Sequence, residues 1–460
     1  MQEKIKLLGS FRDPSGFVFL KDGQIYRQIN RSYQEDYDHL ISSGLFKRLV
    51  EEGLLCSHNE LSEVMYPCNQ AYKVIKPEII PFISYPHEWC FSQIKDAALA
   101  TLKIQQVALN YNMILKDASA YNIQFKDGHP ILIDTLSFEK YLEGSPWKAY
   151  KQFCQHFIAP LSLMAYRDVR LNQLQRAYID GIPLDLTSSL LPIWTYLRFQ
   201  ILSNIHIHAR LQKSYSNKNL KSQKIFISRD KLIALVNVLK SAVTKIKMNH
   251  YKTEWWTYYN DTSYSKEAFN QKQGLIDRFI KDIRPAMVWD LGANTGLFSK
   301  IVSKNGVDTL SIDFDHDVVE ANYLNCKQNN EKHILPLVLD LANPTSRFGW
   351  SNEERMSIID RAPVDLILAL ALVHHLRVTN NTPLDHIAHF FSKICKWLII
   401  EFVPKTDPKF QTLIKNKDDI YYDYYKMDFE MIFKEHFEII NSIQVIDSER
   451  FLYLMKVKNI

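Results

Sequence analysis

Val288-Trp-Asp-Leu-Gly-Ala-Asn-Thr-Gly-Leu-Phe-Ser299 is the stretch of the 460-residue chain that decides the fold of its second half. A short apolar run ends at Asp290, two glycines follow, and the second, Gly296, begins a pattern typical of a helix. This order predicts a strand, a tight glycine turn and a helix. Such a turn lets a ligand lie against bare backbone at the carboxyl end of a strand. Because the chain has only 13 glycines, two in one turn are informative.

Carboxylates also stand at the ends of the next two predicted strands. The strand at 308–313 ends in Asp313, twenty-three residues after Asp290, and the strand at 334–339 is followed by Asp340. A carboxylate at the end of the neighbouring strand is placed to accept both hydroxyls of a ribose. Asp340 is placed to receive the exocyclic amine of an adenine. The three strand ends together predict a nucleoside-binding edge.

The rest of the second half continues to alternate strands and helices. Apolar strands are predicted at 365–372 and 397–402, and segments that suit an antiparallel hairpin at 437–445 and 450–457. A capping-box pattern at the start of 351–361 predicts a helix there. We therefore predict an α/β fold for this half, a doubly wound, Rossmann-like sheet with a C-terminal antiparallel hairpin at its edge.

Two cofactor chemistries use such a sheet, nicotinamide binding and S-adenosylmethionine binding. The nicotinamide fingerprint Gly-x-Gly-x-x-Gly is not supplied by Gly292-Ala-Asn-Thr-Gly296. The pattern Asp-x-Gly-x-x-x-Gly with acidic ends on the next two strands resembles the class I S-adenosylmethionine-dependent methyltransferases, over residues 251–460. The resemblance implies that S-adenosyl-L-methionine is the cofactor. By this resemblance, the methionine end of the cofactor is held by Asp290, Gly292, Ala293, Asn294 and Gly296. The ribose is bound by Asp313, and the adenine by Asp340 and Leu341.

Further candidate residues flank this cofactor set. Three residues upstream of the glycine turn, Tyr258, Tyr264 and Lys272, are candidates to wall the pocket, or else to pack the helical cap onto the sheet. Methyl transfer needs alignment of the reactants and, for a hydroxyl or protonated amine, a base. His374 and His375 follow the strand at 365–372, where this fold places its substrate-facing loop, and Glu401 ends the next strand. These three are the catalytic candidates; the alternative is a structural role in the loop.

A second informative stretch lies in the first half. Leu115-Lys-Asp-Ala-Ser-Ala-Tyr-Asn122 places Asn122 five residues after Asp117, and a predicted hairpin then ends at Asp134. This spacing resembles the protein-kinase and aminoglycoside-phosphotransferase superfamily. There the first Asp orients a hydroxyl, while the Asn and the second Asp hold magnesium against phosphates. The resemblance implies a two-lobed α+β domain and, if its site is active, ATP with Mg²⁺ on Asn122 and Asp134.

The first half also departs from that superfamily. It has no glycine-rich loop, and Asp134 is followed by Thr-Leu rather than Phe-Gly. No lysine stands out as a phosphate ligand, and Arg27 on a predicted strand is the nearest candidate. The same residues therefore also fit a degenerate kinase-like scaffold, in which they cap loops without transferring phosphate.

Composition separates the two halves and limits the function classes. The predicted divisions are a kinase-like domain at 1–212 (a small β-containing lobe to about 88 and a helical lobe at 89–212), a linker at 213–228, and a methyltransferase domain at 229–460 with a helical extension at 229–284. The formal net charge of +5 gives no support to nucleic-acid binding. Six scattered cysteines and no apolar run long enough to span a bilayer lead us to expect a cytoplasmic protein without a membrane span.

The combination of the two halves is similar to the nodulation-type (NoeA-like) methyltransferases. We predict a transferase that moves a methyl group to a small-molecule or saccharide acceptor, with the kinase-like half positioning substrate or regulating. The alternatives are a bifunctional kinase–methyltransferase, a protein methyltransferase and a non-catalytic scaffold. The sequence specifies neither the acceptor atom nor the oligomeric state.

Overall fold

The structure is a computed structural model that describes residues 5–7, 9–61, 70–210, 226–248, 264–415 and 418–458. The chain divides into two compact units. The first unit is Met1–Asn249 together with Arg347–Arg355, and the second is His250–Ser346 together with Met356–Ile460. Among the described residues, none of the helices combines the length and apolar character that a membrane crossing requires.

The first unit begins with an antiparallel sheet. Its strands are β1 (Ile5–Lys6), β2 (Gly16–Lys21), β3 (Gln24–Asn30), β4 (His58–Leu61) and β5 (Ala71–Pro77), in the order β1-β2-β3-β5-β4. The turn residues Lys21-Asp22-Gly23 between two β-like segments predict a hairpin here, and the antiparallel pairing of β2 with β3 confirms it. The apolar sequence at 79–84 predicts a further strand, and this prediction is wrong. Pro81 has no N–H for a ladder, and the backbone N–H of Ser84 donates to the side chain of Gln124 at 2.9 Å.

The remainder of the first unit is mainly helical, with two small antiparallel strand pairs. The strands are β6 (Met113–Leu115) paired with β9 (Phe138–Lys140), and β7 (Ile123–Lys126) paired with β8 (His129–Leu132). The helices are α1 (Gln34–Ser42), α2 (Leu45–Glu51), α3 (Phe91–Asn110), α4 (Tyr150–Phe153), α5 (Ala159–Tyr166), α6 (Leu174–Ala177), α7 (Leu184–Leu190), α8 (Phe199–Ile201) and α9 (Arg229–Lys245). The apolar pattern from about 33 to 52 predicts a single helix, which in the structure is divided into α1 and α2 by Gly44, whose φ of 86° interrupts the helical backbone.

Helix α9 lies in a different unit from the one that the sequence suggested. The prediction made residues 229–284 an extension of the second domain, whereas α9 packs against α3 within the first unit. Its buried face includes Val236 and Leu239, and the ammonium of Lys95 on α3 donates to the carbonyl oxygens of Thr244 and Ile246 at 3.0 and 2.8 Å. The predicted linker at 213–228 lies outside the described residues, apart from 226–228.

The second unit is built on a seven-stranded sheet. Its strands are β10 (Met287–Leu291), β11 (Asp308–Asp313), β12 (Ile334–Val338), β13 (Val364–Ala369), β14 (Cys395–Phe402), β15 (Phe437–Gln444) and β16 (Phe451–Val457), in the order β12-β11-β10-β13-β14-β16-β15. Its helices are α10 (Lys266–Ile283), α11 (Leu297–Ser303), α12 (His316–Gln328), α13 (Leu384–Ile394), α14 (Pro408–Ile414) and α15 (Lys426–His436).

The first five strands in this order are parallel, and β16 and β15 add an antiparallel hairpin at one edge. This confirms the predicted doubly wound sheet and its C-terminal hairpin. The central strands are apolar because both faces are covered; Val288, Leu366 and Leu368 are wholly buried. The strand order reverses between β10 and β13, and such a switch point opens a crevice at the carboxyl ends of the strands.

The helix predicted at 351–361 is wrong. Only a short 3₁₀ turn, Trp350–Asn352, forms at its start, since Ser351 and Asn352 both have φ of 57°, which an α-helix does not accept. The carboxylate of Glu354 still accepts the backbone N–H of Trp350 at 3.0 Å. It is otherwise occupied by Arg12, which donates to it at 2.6 and 3.0 Å within the first unit.

Candidate functional site

A cavity of about 390 Å³ lies at the carboxyl ends of the parallel strands, entirely within the second unit. This volume is within the range of about 300–1,000 Å³ typical of ligand pockets. The residues that line it come from α10 and from the segments that follow each parallel strand. They include the predicted cofactor residues Tyr264, Asp290, Gly292, Ala293, Asn294, Asp313, Asp340 and Leu341. The structure therefore brings together eight of the ten predicted cofactor residues.

The glycine turn shapes one wall of this cavity. Gly292 has φ of 73° and its backbone is exposed, while its N–H and that of Ala293 donate to Ile312 of the adjacent strand at 2.9 and 3.0 Å. The other glycine, Gly296, is buried and is not one of the described lining residues. A Cβ there would lie 2.5 Å from the side chain of Asn322. Gly292 thus offers backbone to a ligand, whereas Gly296 allows close packing of helices.

Two buried carboxylates stand on either side of the glycine turn. Asp290 accepts the hydroxyl of Ser299 at 2.6 Å, and Asp313 accepts the backbone N–H groups of Asn294 and Asp315 at 2.8 and 3.0 Å. Burial raises the pKa of Asp290 to about 7 and that of Asp313 to about 6, because desolvation disfavours the charged form. Each carboxylate retains lone pairs for a ligand, since its oxygens can accept more than these bonds.

Three hydrogen-bonded side chains, Lys272, Tyr264 and Glu401, form the wall of the cavity near α10 and its support. Lys272 and Tyr264 both line the cavity and both donate to the carboxylate of Glu401, Lys272 at 2.8 Å. Burial raises the pKa of Glu401 to about 7 and lowers the pKa of Lys272. Glu401 is fully buried and is not among the described lining residues, so this catalytic candidate orients two cavity residues instead of facing the cavity. Tyr258 lies outside the described residues.

The two adjacent histidines have different positions. His375 begins a π-helical turn, His375–Thr379, and lines the cavity. Burial, and then the charge of Arg450, lower its pKa to about 4, so its imidazole is neutral at pH 7. His374 is 1% exposed, does not line the cavity, and its Nδ1 has no hydrogen-bond partner among the described residues. Of the pair, only His375 is placed to meet a ligand.

Several lining residues had no signal in the sequence. These are Phe269, Phe298, Phe314, Leu339, Leu370, Ala371, Leu372, Leu376, Thr379, Asn380, Lys409, Leu413 and Arg450. Most belong to loops after strands and could have been found only by knowing which strands are neighbours. Arg450 is the least expected, because it precedes the antiparallel strand β16; its guanidinium donates to Asp407 at 2.7 and 3.0 Å.

The three predicted kinase-like residues of the first unit also lie together. The amide of Asn122 donates to the hydroxyl of Ser137 at 3.3 Å, and that hydroxyl donates to Asp134 at 2.9 Å. The pKa of Asp117 is raised by burial and by the charge of Asp134, and is opposed by hydrogen bonds that include one from Asn122. The sequence spacing therefore does produce a cluster.

This cluster does not fit a magnesium ion as it stands. Oδ1 of Asp134 is bound by Arg27 at 2.5 Å and by the backbone N–H of Leu136 at 2.9 Å, while Oδ2 accepts Ser137. A cation at Asp134 would therefore bind a carboxylate whose charge is already matched by the guanidinium of Arg27. Among the described residues, no group of three or more His, Cys, Asp or Glu side chains is arranged to hold a metal.

No protein-family model matches the chain. Among solved structures, a structure of the bifunctional kinase-methyltransferase WbdD is 18% identical over 46% of this chain and 43% of that chain, with a TM-score of 0.31. A magnesium protoporphyrin IX methyltransferase from Synechocystis PCC 6803 with bound SAH is 14% identical over 44% of this chain and 93% of that chain, with a TM-score of 0.32.

A curated relative matches the chain over almost its whole length. It is the nodulation protein NoeA of Rhizobium meliloti (strain 1021), 30% identical over 456 residues, which are 97% of this chain and 95% of that protein. The match extends across both compact units, so it concerns the combination and not one half alone. The chain belongs to the family of the nodulation protein NoeA.

Proposed function

We propose that the second unit binds S-adenosyl-L-methionine and transfers its methyl group to a small-molecule or saccharide acceptor. The observation that carries the proposal is the cavity edge formed by three adjacent strands. There the carboxylates of Asp290, Asp313 and Asp340 line the same cavity as the exposed backbone of Gly292. One of these carboxylates can accept both hydroxyls of a ribose and a second can accept the amine of an adenine.

The cofactor residues divide along the strand order. Asp313, at the end of β11, accepts the ribose hydroxyls, and Asp340 with Leu341, after β12, receives the adenine. Asp290, Gly292 and the residues up to Asn294 receive the methionine end at the centre of the sheet. The fit is supported by the chemistry of this set, since it consists of acceptors and open backbone and lacks the middle glycine of a dinucleotide site.

The bound cofactor supplies an electrophilic methyl group on a sulfonium. The protein's own tasks are to exclude water, to hold the acceptor in line and to take a proton from it. We assign the removal of the acceptor's proton to His375, because its imidazole lines the cavity and is neutral at pH 7. Glu401 and His374, the other candidates, are buried away from the cavity, and we assign them to the support of its wall.

Calorimetry and a transfer assay test this assignment. The wild-type protein should bind S-adenosylmethionine, and labelled methyl groups should enter the small-molecule or glycan fraction of an extract incubated with it, not the protein or RNA fraction. His375→Ala should reduce turnover at least tenfold while it changes cofactor affinity less than threefold. His386→Ala, on the exposed side of α13, is the matched control and should behave as wild type. Equal losses of turnover and cofactor affinity in His375→Ala would refute the assignment of His375 as the base. If the wild-type protein does not bind S-adenosylmethionine at all, the proposed methyltransferase activity is refuted.

We infer that the kinase-like half positions substrate or regulates the enzyme and does not transfer phosphate. The Arg27–Asp134 pair supports this, because it occupies the carboxylate that phosphate chemistry would need for magnesium. The bifunctional alternative makes a different prediction. Mg·ATP would then bind the wild-type protein with an affinity that Asp134→Ala abolishes and that Asp127→Asn, on the β7–β8 turn, preserves, since Asn tolerates the φ of 50° there.

A further inference from the structure

The histidine proposed as the base lies on an unusual part of the backbone. After β13 the chain passes through Ala371 with φ of 49° and later Asn381 with φ of 53°, both in the left-handed region. Alanine adopts this region at a cost, because its Cβ crowds the neighbouring carbonyl oxygen. Between them lies the π-helical turn His375–Thr379, in which the N–H of Asn380 donates to the carbonyl oxygen of His375 at 3.3 Å. Backbone of this kind persists only where the surrounding structure holds it in place.

The two ends of this strained stretch have different partners. At its start, the backbone N–H of Ala371 donates to the buried carboxylate of Glu401. Towards its end, the guanidinium of Arg377 donates to one carboxylate oxygen of Asp423 at 2.7 and 3.2 Å. The same guanidinium donates to the side-chain oxygen of Asn381 at 3.1 Å. Arg377 therefore joins the turn both to its own end and to a distant part of the chain.

That distant part is the segment 418–425, which precedes α15. Besides Asp423 it supplies Tyr421, which is buried and whose ring centroid lies 4.8 Å from the guanidinium of Arg377. The hydroxyl of Tyr421 donates to the carbonyl oxygen of Val378, within the turn, at 3.1 Å. Arg377, Asp423 and Tyr421 are not among the described residues that line the cavity. They can therefore affect the site only through the turn that they hold.

We propose that Arg377 is a positioning residue that keeps the imidazole of His375 at the cavity wall; the proposal rests on the methyl transfer proposed above. The two residues share one π-helical turn, so a turn released from Asp423 and Tyr421 relaxes and carries the imidazole away from the wall. A displacement of about 1 Å is enough to misalign a base with the proton that it removes. The carboxylates that receive the cofactor follow other strands, so the loss falls on methyl transfer and not on cofactor binding.

Carbethoxylation by diethyl pyrocarbonate, followed at each histidine by mass spectrometry, measures the position of His375 without an acceptor. In the wild type, the partly buried His375 should react slowly, and His386, whose side chain is 71% exposed, should react fast. Arg377→Met and Asp423→Ala should each raise the rate at His375 about tenfold or more and leave the rate at His386 unchanged. Asp423→Asn is the conservative variant; its side-chain oxygen still accepts from Arg377, so the rate should stay within about threefold of wild type.

The transfer assay and calorimetry described above supply the second readout. Arg377→Met and Asp423→Ala should reduce methyl transfer about tenfold or more and change the affinity for S-adenosylmethionine less than about threefold. Asp418→Ala, an exposed position in the same segment, is the matched control and should behave as wild type. Thermal melts show which variants fold, and Asp423→Ala, at a side chain that is 38% exposed, serves if Arg377→Met does not.

Two results would overturn the proposal. One is an unchanged carbethoxylation rate at His375 in a folded Arg377→Met or Asp423→Ala protein, and the other is an equal loss of methyl transfer and cofactor affinity. If the wild-type protein does not bind S-adenosylmethionine, the proposed function fails. The carbethoxylation rates need neither cofactor nor acceptor, so they still decide whether Arg377 holds His375 in place.

Discussion

The affinity for S-adenosylmethionine should fall as the pH is lowered through about 6, and Asp313 should be responsible. The pKa of Asp313 is raised to about 6 by burial. Ribose hydroxyls donate to the carboxylate form, so the cofactor binds the deprotonated protein and competes with the proton. The affinity is then fully present above the raised pKa and is lost below it, in contrast to a carboxylate whose pKa is unshifted and which would stay charged to about pH 4.

The magnitude follows from that pKa. With a pKa near 6 in the free protein and well below 5 in the complex, the fraction of competent carboxylate falls about tenfold between pH 7 and pH 5. Asp313→Asn cannot titrate and should lack this tenfold factor. At pH 7 the same variant should bind more weakly by about 1.5–3 kcal/mol, since hydrogen bonds to a charged group become hydrogen bonds to an amide. The charge of Asp313 contributes to the raised pKa of Asp290, so in Asp313→Asn the titration of Asp290 moves to lower pH, and any pH dependence that it causes becomes weaker and not stronger.

Calorimetric titrations with S-adenosylmethionine at several pH values measure both effects. Asp308→Asn is the control, because Asp308 begins the same strand that Asp313 ends, and it pairs with His333 at 2.8 Å far from the cavity. It should reproduce the wild-type curve. Thermal melts of each variant show whether the fold persists, since Asp313 also accepts two backbone N–H groups. An Asp313→Asn curve that keeps the full tenfold pH dependence would refute the assignment of the ribose site.

Two further predictions concern stability. Lys272→Met should destabilise the protein by about 3–5 kcal/mol, because it leaves the carboxylate of Glu401 buried without its cation. Adding Glu401→Gln should restore most of the lost stability. Urea unfolding of the single and double variants measures both effects, and a double variant no more stable than the single one contradicts the prediction. Gly296→Ala should destabilise by about 2–5 kcal/mol, since φ is 77° and the new Cβ would lie 2.5 Å from Asn322. Gly274→Ala, with open space around a helical glycine, is the control and should be neutral or stabilising in the same urea experiment.

The cofactor edge of the site could be predicted from the sequence because of a property of parallel sheets. Strands that are buried on both faces are continuous apolar runs, so their ends are easy to recognise, and their carboxyl ends meet at one edge. A carboxylate just after each run, as at Asp290, Asp313 and Asp340, must therefore lie at that edge. The glycine turn adds the place where backbone is exposed. These facts need no information about distant side chains.

The catalytic candidates were less predictable because adjacent residues in a turn point in different directions. His374 and His375 have the same local signal, yet only one lines the cavity. Glu401 ends a strand, as expected of a base, but its carboxylate accepts a hydrogen bond from Lys272, which lies on a helix more than a hundred residues earlier in the chain. Burial and partners of this kind depend on tertiary packing. A spacing in the sequence identifies the neighbourhood of a group and not what it faces.

The division into domains shows the same limit in another form. A linker of suitable composition at 213–228 led to two contiguous domains, whereas the first unit contains α9 and also the distant segment Arg347–Arg355. That segment contributes Glu354, whose side chain is buried and bound by Arg12, 342 residues earlier in the chain. The capping-box signal at Ser351 failed for this reason, since a charge-assisted pair outweighs a local preference for helix. A truncation at the predicted linker would remove both α9 and Glu354, the partner of Arg12. The boundaries of the first unit are therefore defined by its contacts and not by the order of the sequence.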